Sequence, residues 1–504
     1  MNNKPTSSLP RVLGPWMATA IVIGTVIGSG VFKKPYAVSQ SVNEFGLAML
    51  AWVLVGLLAL MGALTLAEIA SLYPKAGGNY VFLREGYGRL AGFLWGWVDF
   101  WIIRSGSIAA LASIFAESVH DAIRQARGVP TGDRIFGFWE EQGLTVAVIM
   151  VLALINCRGV RWSGLLQLIV TLVKVSSLVG IILAPFVVMG FVSQPRHPPS
   201  TANLAPIWPA DWSTVRWSGF LTAMVGVIWA YHGWMNIGSV AEEIKNPKRN
   251  IPLSLLLGQG IIILLYLGAN FAYFLVIPHA EMKTLKDTTV ATEFSLRLLG
   301  PIGGILTAAA VGISVFGALN GNILVGPRLL YAMGEDELAP RWLRAVHPSY
   351  QTPAVATLVL CGWSSLLVVL VAFLLQNPLP KFELFGKTLD LNFPAGKSGF
   401  DVITDFAMFG AVALETLTVQ SIYVFRWKYP DAARPYRCVG YPVVPALYGL
   451  IMAAVWVNMF VGQKTESLVG IGFMIAGTLI YLAFLRRGPV SARVAPVEGI
   501  QSEN

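Results

Sequence analysis

Apolar residues run along this chain in blocks too long for a soluble core, separated by short polar links. Twelve blocks can be placed, at 16–38, 46–72, 91–119, 144–160, 164–191, 217–241, 253–277, 302–332, 353–375, 401–426, 440–462 and 467–485. At about 1.5 Å per residue each can cross a hydrocarbon core of about 30 Å as a helix. Lipid offers no hydrogen-bond partners, so the backbone inside each block must coil to satisfy itself. The pattern predicts an all-α integral membrane protein with twelve transmembrane helices. The aqueous links are too short to hide a soluble catalytic domain.

Two blocks break this pattern from within. Residues 16–32 are apolar, but their far half carries Gly24, Gly28, Ser29 and Gly30. Glycine weakens a helix, and each backbone group freed in hydrocarbon costs several kcal/mol unless something satisfies it. Gly24 and Gly28 also form a small-xxx-small pair, which alone lets two helices touch. The second block reads Val227-Ile228-Trp229-Ala230-Tyr231-His232-Gly233-Trp234-Met235-Asn236, with an imidazole and a glycine at bilayer depth. The two blocks are the first and the sixth. Interrupted spans in corresponding positions of two halves point to a transporter binding site between inverted repeats. The expected organisation is a cytoplasmic tail 1–13, a first repeat 14–195, a second repeat 196–430, two further helices in 431–487 and a tail 488–504. This is a 5+5 inverted repeat plus two C-terminal helices.

A broken helix offers free N–H groups where it restarts and free C=O groups where it stops. The N–H end suits a carboxylate and the C=O end an ammonium. Both together fit a zwitterionic α-amino acid. The amides of Gly28, Ser29 and Gly30 are the natural carboxylate holders, and carbonyls near Val26, Trp229 and His232 suit the amino group.

Composition agrees with a membrane protein: 504 residues, 55% hydrophobic and 12% charged, with mean hydropathy +0.64. The net charge of +9 reads as a topology signal rather than nucleic-acid binding. With the N-terminus cytoplasmic, inside segments hold about 20 Lys/Arg against about 14 outside. Arg104 and Lys174 lie within spans and complete the total of 36. The expected location is the cell (plasma or inner) membrane, with both termini cytoplasmic. No cleavable signal peptide is evident, because the first block lacks a small-residue cleavage site and continues into Lys33 and Lys34. Cys157, Cys361 and Cys438 are scattered, and the five histidines lack paired spacing. No disulfide framework, metal site or cofactor is expected.

Several stretches together resemble the amino acid–polyamine–organocation superfamily, and most of all its L-type amino-acid transporter branch. They are Ile27-Gly28-Ser29-Gly30-Val31-Phe32, Leu66-Ala67-Glu68-Ile69 with Lys75-Ala76-Gly77-Gly78-Asn79-Tyr80, and Trp97-Val98-Asp99 through Ile102-Ile103-Arg104. Further along come Ala230-Tyr231-His232-Gly233-Trp234, Ala241-Glu242-Glu243-Ile244-Lys245-Asn246-Pro247, Gly317-Ala318-Leu319-Asn320-Gly321, Arg328-Leu329 and His347-Pro348. Each stretch alone is weak, whereas the order and spacing from Gly14 to Pro353 are specific. The resemblance implies a leucine-transporter-type fold and sodium-independent transport, often by exchange. It places substrate against Val26, Ile27, Gly28, Ser29 and Gly30 of span 1, and against Trp229, Ala230, His232 and Gly233 of span 6. Spans 3 and 8 would line the path. The chain departs from the family at His232, commonly small or acidic, and at Ala318, commonly a hydroxyl. Animal members bond a glycoprotein partner through a cysteine after the third span. The loop 121–143 here has none, so no disulfide-linked subunit is expected.

Lys174 lies about 15 Å into its span, too deep to snorkel easily. The resemblance puts it where sodium-coupled relatives bind a cation, its ammonium bridging to carbonyls of span 1. It acts either in coupling or as a fixed charge between helices. Asp99 and Arg104 are five apart, off the three-or-four spacing of helix neighbours, so each is expected to pair with another helix. Glu68 reads as a helix-end contact. Glu242 and Glu243 are either an inner gate or a solvated helix end. Trp229 reads as a lid over the substrate or as packing. His232 narrows the pocket, meets a polar side chain, senses pH or simply packs.

The function expected is a sodium-independent permease for neutral amino acids, working by alternating access, through exchange or proton linkage. Neutral substrates are favoured because no unpaired carboxylate is evident near the pocket. A cationic amino-acid or polyamine carrier would need one, with Asp99 the nearby candidate. A membrane sensor or enzyme is the remote alternative, since no nucleophile–base pair or metal spacing supports it.

Overall fold

The structure, a computed structural model, describes residues 9–129, 133–191, 197–285, 289–377, 382–384, 387–389, 399–462 and 464–485. Residues 1–8 and the expected tail 488–504 lie outside the described residues. The described chain is helical apart from one antiparallel ribbon, β1 (Phe382–Leu384) with β2 (Lys387–Leu389), in which Glu383 faces Thr388.

Among the described residues, ten helical segments are long and apolar enough to cross a membrane: Pro15–Ser41, Phe45–Leu72, Arg89–Ala126, Phe138–Cys157, Val160–Phe191, Pro247–Val276, Pro301–Glu335, Ala354–Gln376, Val443–Gly462 and Ser467–Leu485. The block at 217–241 is not one continuous helix. It is an α-helix, Trp217–Tyr231, followed by a 3₁₀ run, Trp234–Glu243. The block at 401–426 falls within the helix Gly399–Lys428. Proline starts several helices, at Pro15, Pro247, Pro301 and Pro327, where its missing N–H has no intrahelical role. Pro327 also interrupts the expected block 302–332, dividing it into Pro301–Val325 and Pro327–Glu335.

The first span is the axis of the bundle. It packs against Val160–Phe191, Pro247–Val276 and Pro301–Val325, and 83% of its apolar window is buried. Only 11% of the window in Ser467–Leu485 is buried, so that helix lies at the periphery. An apolar helix left that bare belongs against lipid. Exposed tryptophans sit at helix ends and in links, among them Trp16, Trp162, Trp217, Trp342 and Trp427, where interfacial anchors are found.

The third span carries a local rewinding. Between Arg89–Val98 and Ser105–Ala126, residues Asp99–Arg104 form a π-helical turn. Bonding from i to i+5 brings residues five apart onto one face. Asp99 and Arg104 therefore meet each other, at 3.4 Å, which corrects the expectation that each would pair with another helix. Arg104 alone also reaches across, donating to Asn322 Oδ1 at 2.8 Å.

A backbone clasp joins the entry of the first span to the exit of the sixth block. Leu13 N–H donates to Glu243 O at 2.9 Å, and Lys245 N–H donates to Leu13 O at 2.8 Å.

Candidate functional site

The first break lies between Pro15–Val26 and Gly30–Ser41. Ile27 turns extended (φ −72°, ψ 92°), and the helix restarts at Gly30. Among the described residues, the amides of Gly28, Ser29, Gly30 and Val31 donate to no protein acceptor. The second break follows Tyr231, where His232 is extended (ψ 144°) and Gly233 sits at φ +116°. Only glycine takes that φ without strain, and a Cβ there would also lie 2.8 Å from Thr25 O.

The two breaks touch. A Cβ on Gly30 would stand 2.6 Å from both Cα and Cβ of Ala230, so Gly30 is what allows this approach. Thr25 Oγ1 donates to Gly233 O at 3.1 Å. The Tyr266 hydroxyl spans both stretches, 3.2 Å from Val26 O and 3.0 Å from Ala230 O.

These bonds alter the expected ammonium site. The Val26 carbonyl shares the single Tyr266 hydroxyl proton with the nearer Ala230 carbonyl, and the Trp229 carbonyl accepts from His232 N–H at 3.2 Å. Of the three carbonyls named from sequence, that of His232 has no partner among the described residues.

Lys174 is 1% exposed. Its Nζ donates to Gly24 O at 2.8 Å and Ile27 O at 2.6 Å. Both are carbonyls at the end of a helix that stops, where a cation is favoured. Ser314 Oγ, on Pro301–Val325, lies 3.4 Å from Ile27 O and 3.2 Å from Gly28 O. The hydroxyl sought at Ala318 is thus supplied one turn earlier.

Behind the second break is a polar cluster. His232 Nε2 lies 2.9 Å from Glu415 Oε1, and the Trp229 and His232 rings are parallel within 2°, their centroids 6.3 Å apart. Glu415, from Gly399–Lys428, went unnoticed in the sequence; it is paired with His232, so it does not contradict the expectation of no unpaired carboxylate near the pocket. The rule that singled out Lys174, an ionisable residue within a span, also points to it.

The charges at the far end of the sixth block are paired, Glu243 fully buried and Glu242 half-buried. Glu243 is 0% exposed and is gripped by Arg328 at 2.8 and 3.2 Å. Glu242 accepts from Ala76 N–H at 3.1 Å. Glu68 is also buried, held by Arg426 at 2.7 Å and by Cys438 N–H at 2.6 Å. Removing one partner of a buried ion pair strands the other, at a cost of about 3–5 kcal/mol. Arg328→Ala is therefore expected to lower the melting temperature in detergent sharply. The double change Glu243→Gln with Arg328→Met should recover part of that loss.

A many-helix membrane protein with two broken helices touching at its centre is built as a transporter, not an enzyme. The chain belongs to the amino acid permease family, whose family model matches residues 13–485. It is 29% identical to the serine/threonine exchanger SteT of Bacillus subtilis (strain 168) over 443 residues, covering 88% of this chain and 89% of that protein. It is 28% identical to the human cystine/glutamate transporter over 471 residues, 92% and 83% of the two chains. It is likewise 28% identical to the mouse Asc-type amino acid transporter 1 over 477 residues, 94% and 81%.

Proposed function

We propose that this permease exchanges neutral amino acids, without sodium, by alternating access through a twelve-span, 5+5 inverted-repeat fold with two added helices. The observation that carries the reading is the contact between two breaks that leaves four consecutive amides, Gly28 to Val31, without acceptors. Those amides open the helix Gly30–Ser41, and a carboxylate is the ligand such an end favours. The substrate ammonium turns to the His232 carbonyl, with Trp229 beside it as a lid. The Lys174 ammonium fills the place a coupling cation would take, which supports sodium independence. Exchange is supported by the relative named as an exchanger. Glu243 with Arg328, and Glu242 with Ala76, serve as the inner gate. The protein sits in the cell membrane with both termini cytoplasmic and needs no disulfide-linked subunit.

The test is counterflow in proteoliposomes, screening the twenty amino acids and several amines with sodium absent. Internal neutral amino acid should drive accumulation of labelled external substrate. Product formation without flux, or flux that requires sodium, contradicts the reading.

A further inference from the structure

We propose that Glu415, held in place by His232, reads the substrate's side chain and selects amino acids bearing an N–H or O–H donor there. The inference rests on the permease reading above and deepens it by naming the side-chain class.

Glu415 is on the helix Gly399–Lys428, near the middle of its 30 residues, and so lies at mid-membrane depth. A carboxylate there is costly unless it is used. Its Oε1 is taken by His232. Among the described residues, Oε2 has no hydrogen-bond partner. The two side chains still keep 13% and 20% of their surface, although helices from several directions enclose them. Exposure at such depth marks a cavity, and His232 belongs to the broken stretch itself. On this proposal the wall beyond the substrate's α-carbon is a carboxylate oxygen, not a methyl group.

The neighbouring charges do not remove that acceptor. Arg104 is committed to Asp99 and to Asn322. Tyr448, from Val443–Gly462, is a further buried polar group. An aliphatic side chain entering the cavity would strip water from Oε2 and give nothing back. A hydroxyl or amide would replace the water. A site built around a hydrogen bond rejects the isostere that lacks the donor far better than an apolar pocket rejects one that has it.

Threonine and valine have nearly the same shape and differ in that donor. Asparagine and leucine test an amide donor in the same way. The experiment is competition against counterflow of labelled alanine by the full-length protein in proteoliposomes. Wild-type protein is expected to prefer the donor in at least one pair by about 10-fold or more. In Glu415→Leu the ratio should fall to within about 2-fold of unity, because the acceptor is gone. Each ratio is internal to its variant, so a slower carrier does not blur it. Should Glu415→Leu fail to fold, Glu415→Gln, which keeps a weaker acceptor, should show an intermediate ratio. Equal competition within both pairs in wild type, a preference that survives Glu415→Leu, or an unchanged ratio in Glu415→Gln overturns the proposal. Absence of exchange for all twenty amino acids overturns the permease reading itself, whereas exchange without discrimination overturns only this inference.

Discussion

Lys174→Ala should reduce transport by about 100-fold or more while the protein still folds. The ammonium is the partner of Gly24 O and Ile27 O. Its loss leaves two carbonyls at the end of a broken helix poorly satisfied, at about 1–3 kcal/mol each, and a tenfold change needs only about 1.4 kcal/mol. Ser314 Oγ, whose one proton goes to Gly28 O or to the more distant Ile27 O, braces the turn from the other side, so the turn keeps part of its support and the fold is expected to survive. The loss is expected to fall on transport because these carbonyls belong to the segment whose next amides form the proposed carboxylate site. Uptake into proteoliposomes from pH 5 to 8, set beside thermal unfolding, separates the roles. Unaltered uptake across that range would leave Lys174 a purely structural charge.

Gly30→Leu should abolish binding in the purified protein. Even the first added carbon would sit 2.6 Å from the Ala230 backbone, and backbone cannot swing aside as a flexible side chain does. The two broken stretches must then separate, moving the Gly28–Val31 amides from the carbonyls of the sixth block. In the proposed site both ends of a zwitterion are held together, so affinity should fall by about 100-fold or more. Equilibrium binding of labelled substrate measures it, and retained affinity would contradict the site.

Both predictions concern features readable in the sequence. Gly28-Ser29-Gly30 and His232-Gly233 stand out because glycine and imidazole are poor choices inside an apolar run. Lys174 stands out because a charge at that depth has no ordinary reason to be there. The pairing of Asp99 with Arg104 was illegible for a different reason. Spacing arguments assume 3.6 residues per turn, and nothing in Asp99-Phe100-Trp101-Ile102-Ile103-Arg104 announces a π-turn. Glu415 and His232 lie 183 residues apart, and Glu243 and Arg328 lie 85 apart. Such partners are chosen by how helices pack, a tertiary property that local periodicity does not carry. The first span was legible as a block. Its place as the most enclosed of the helices emerges only once the others surround it.

The two short links between Leu13 and the residues around Ile244 have a mechanical consequence. They yoke the base of one interrupted helix to the base of the other. A tilt applied to either is therefore expected to carry its companion with it, about the contact where Gly30 meets Ala230.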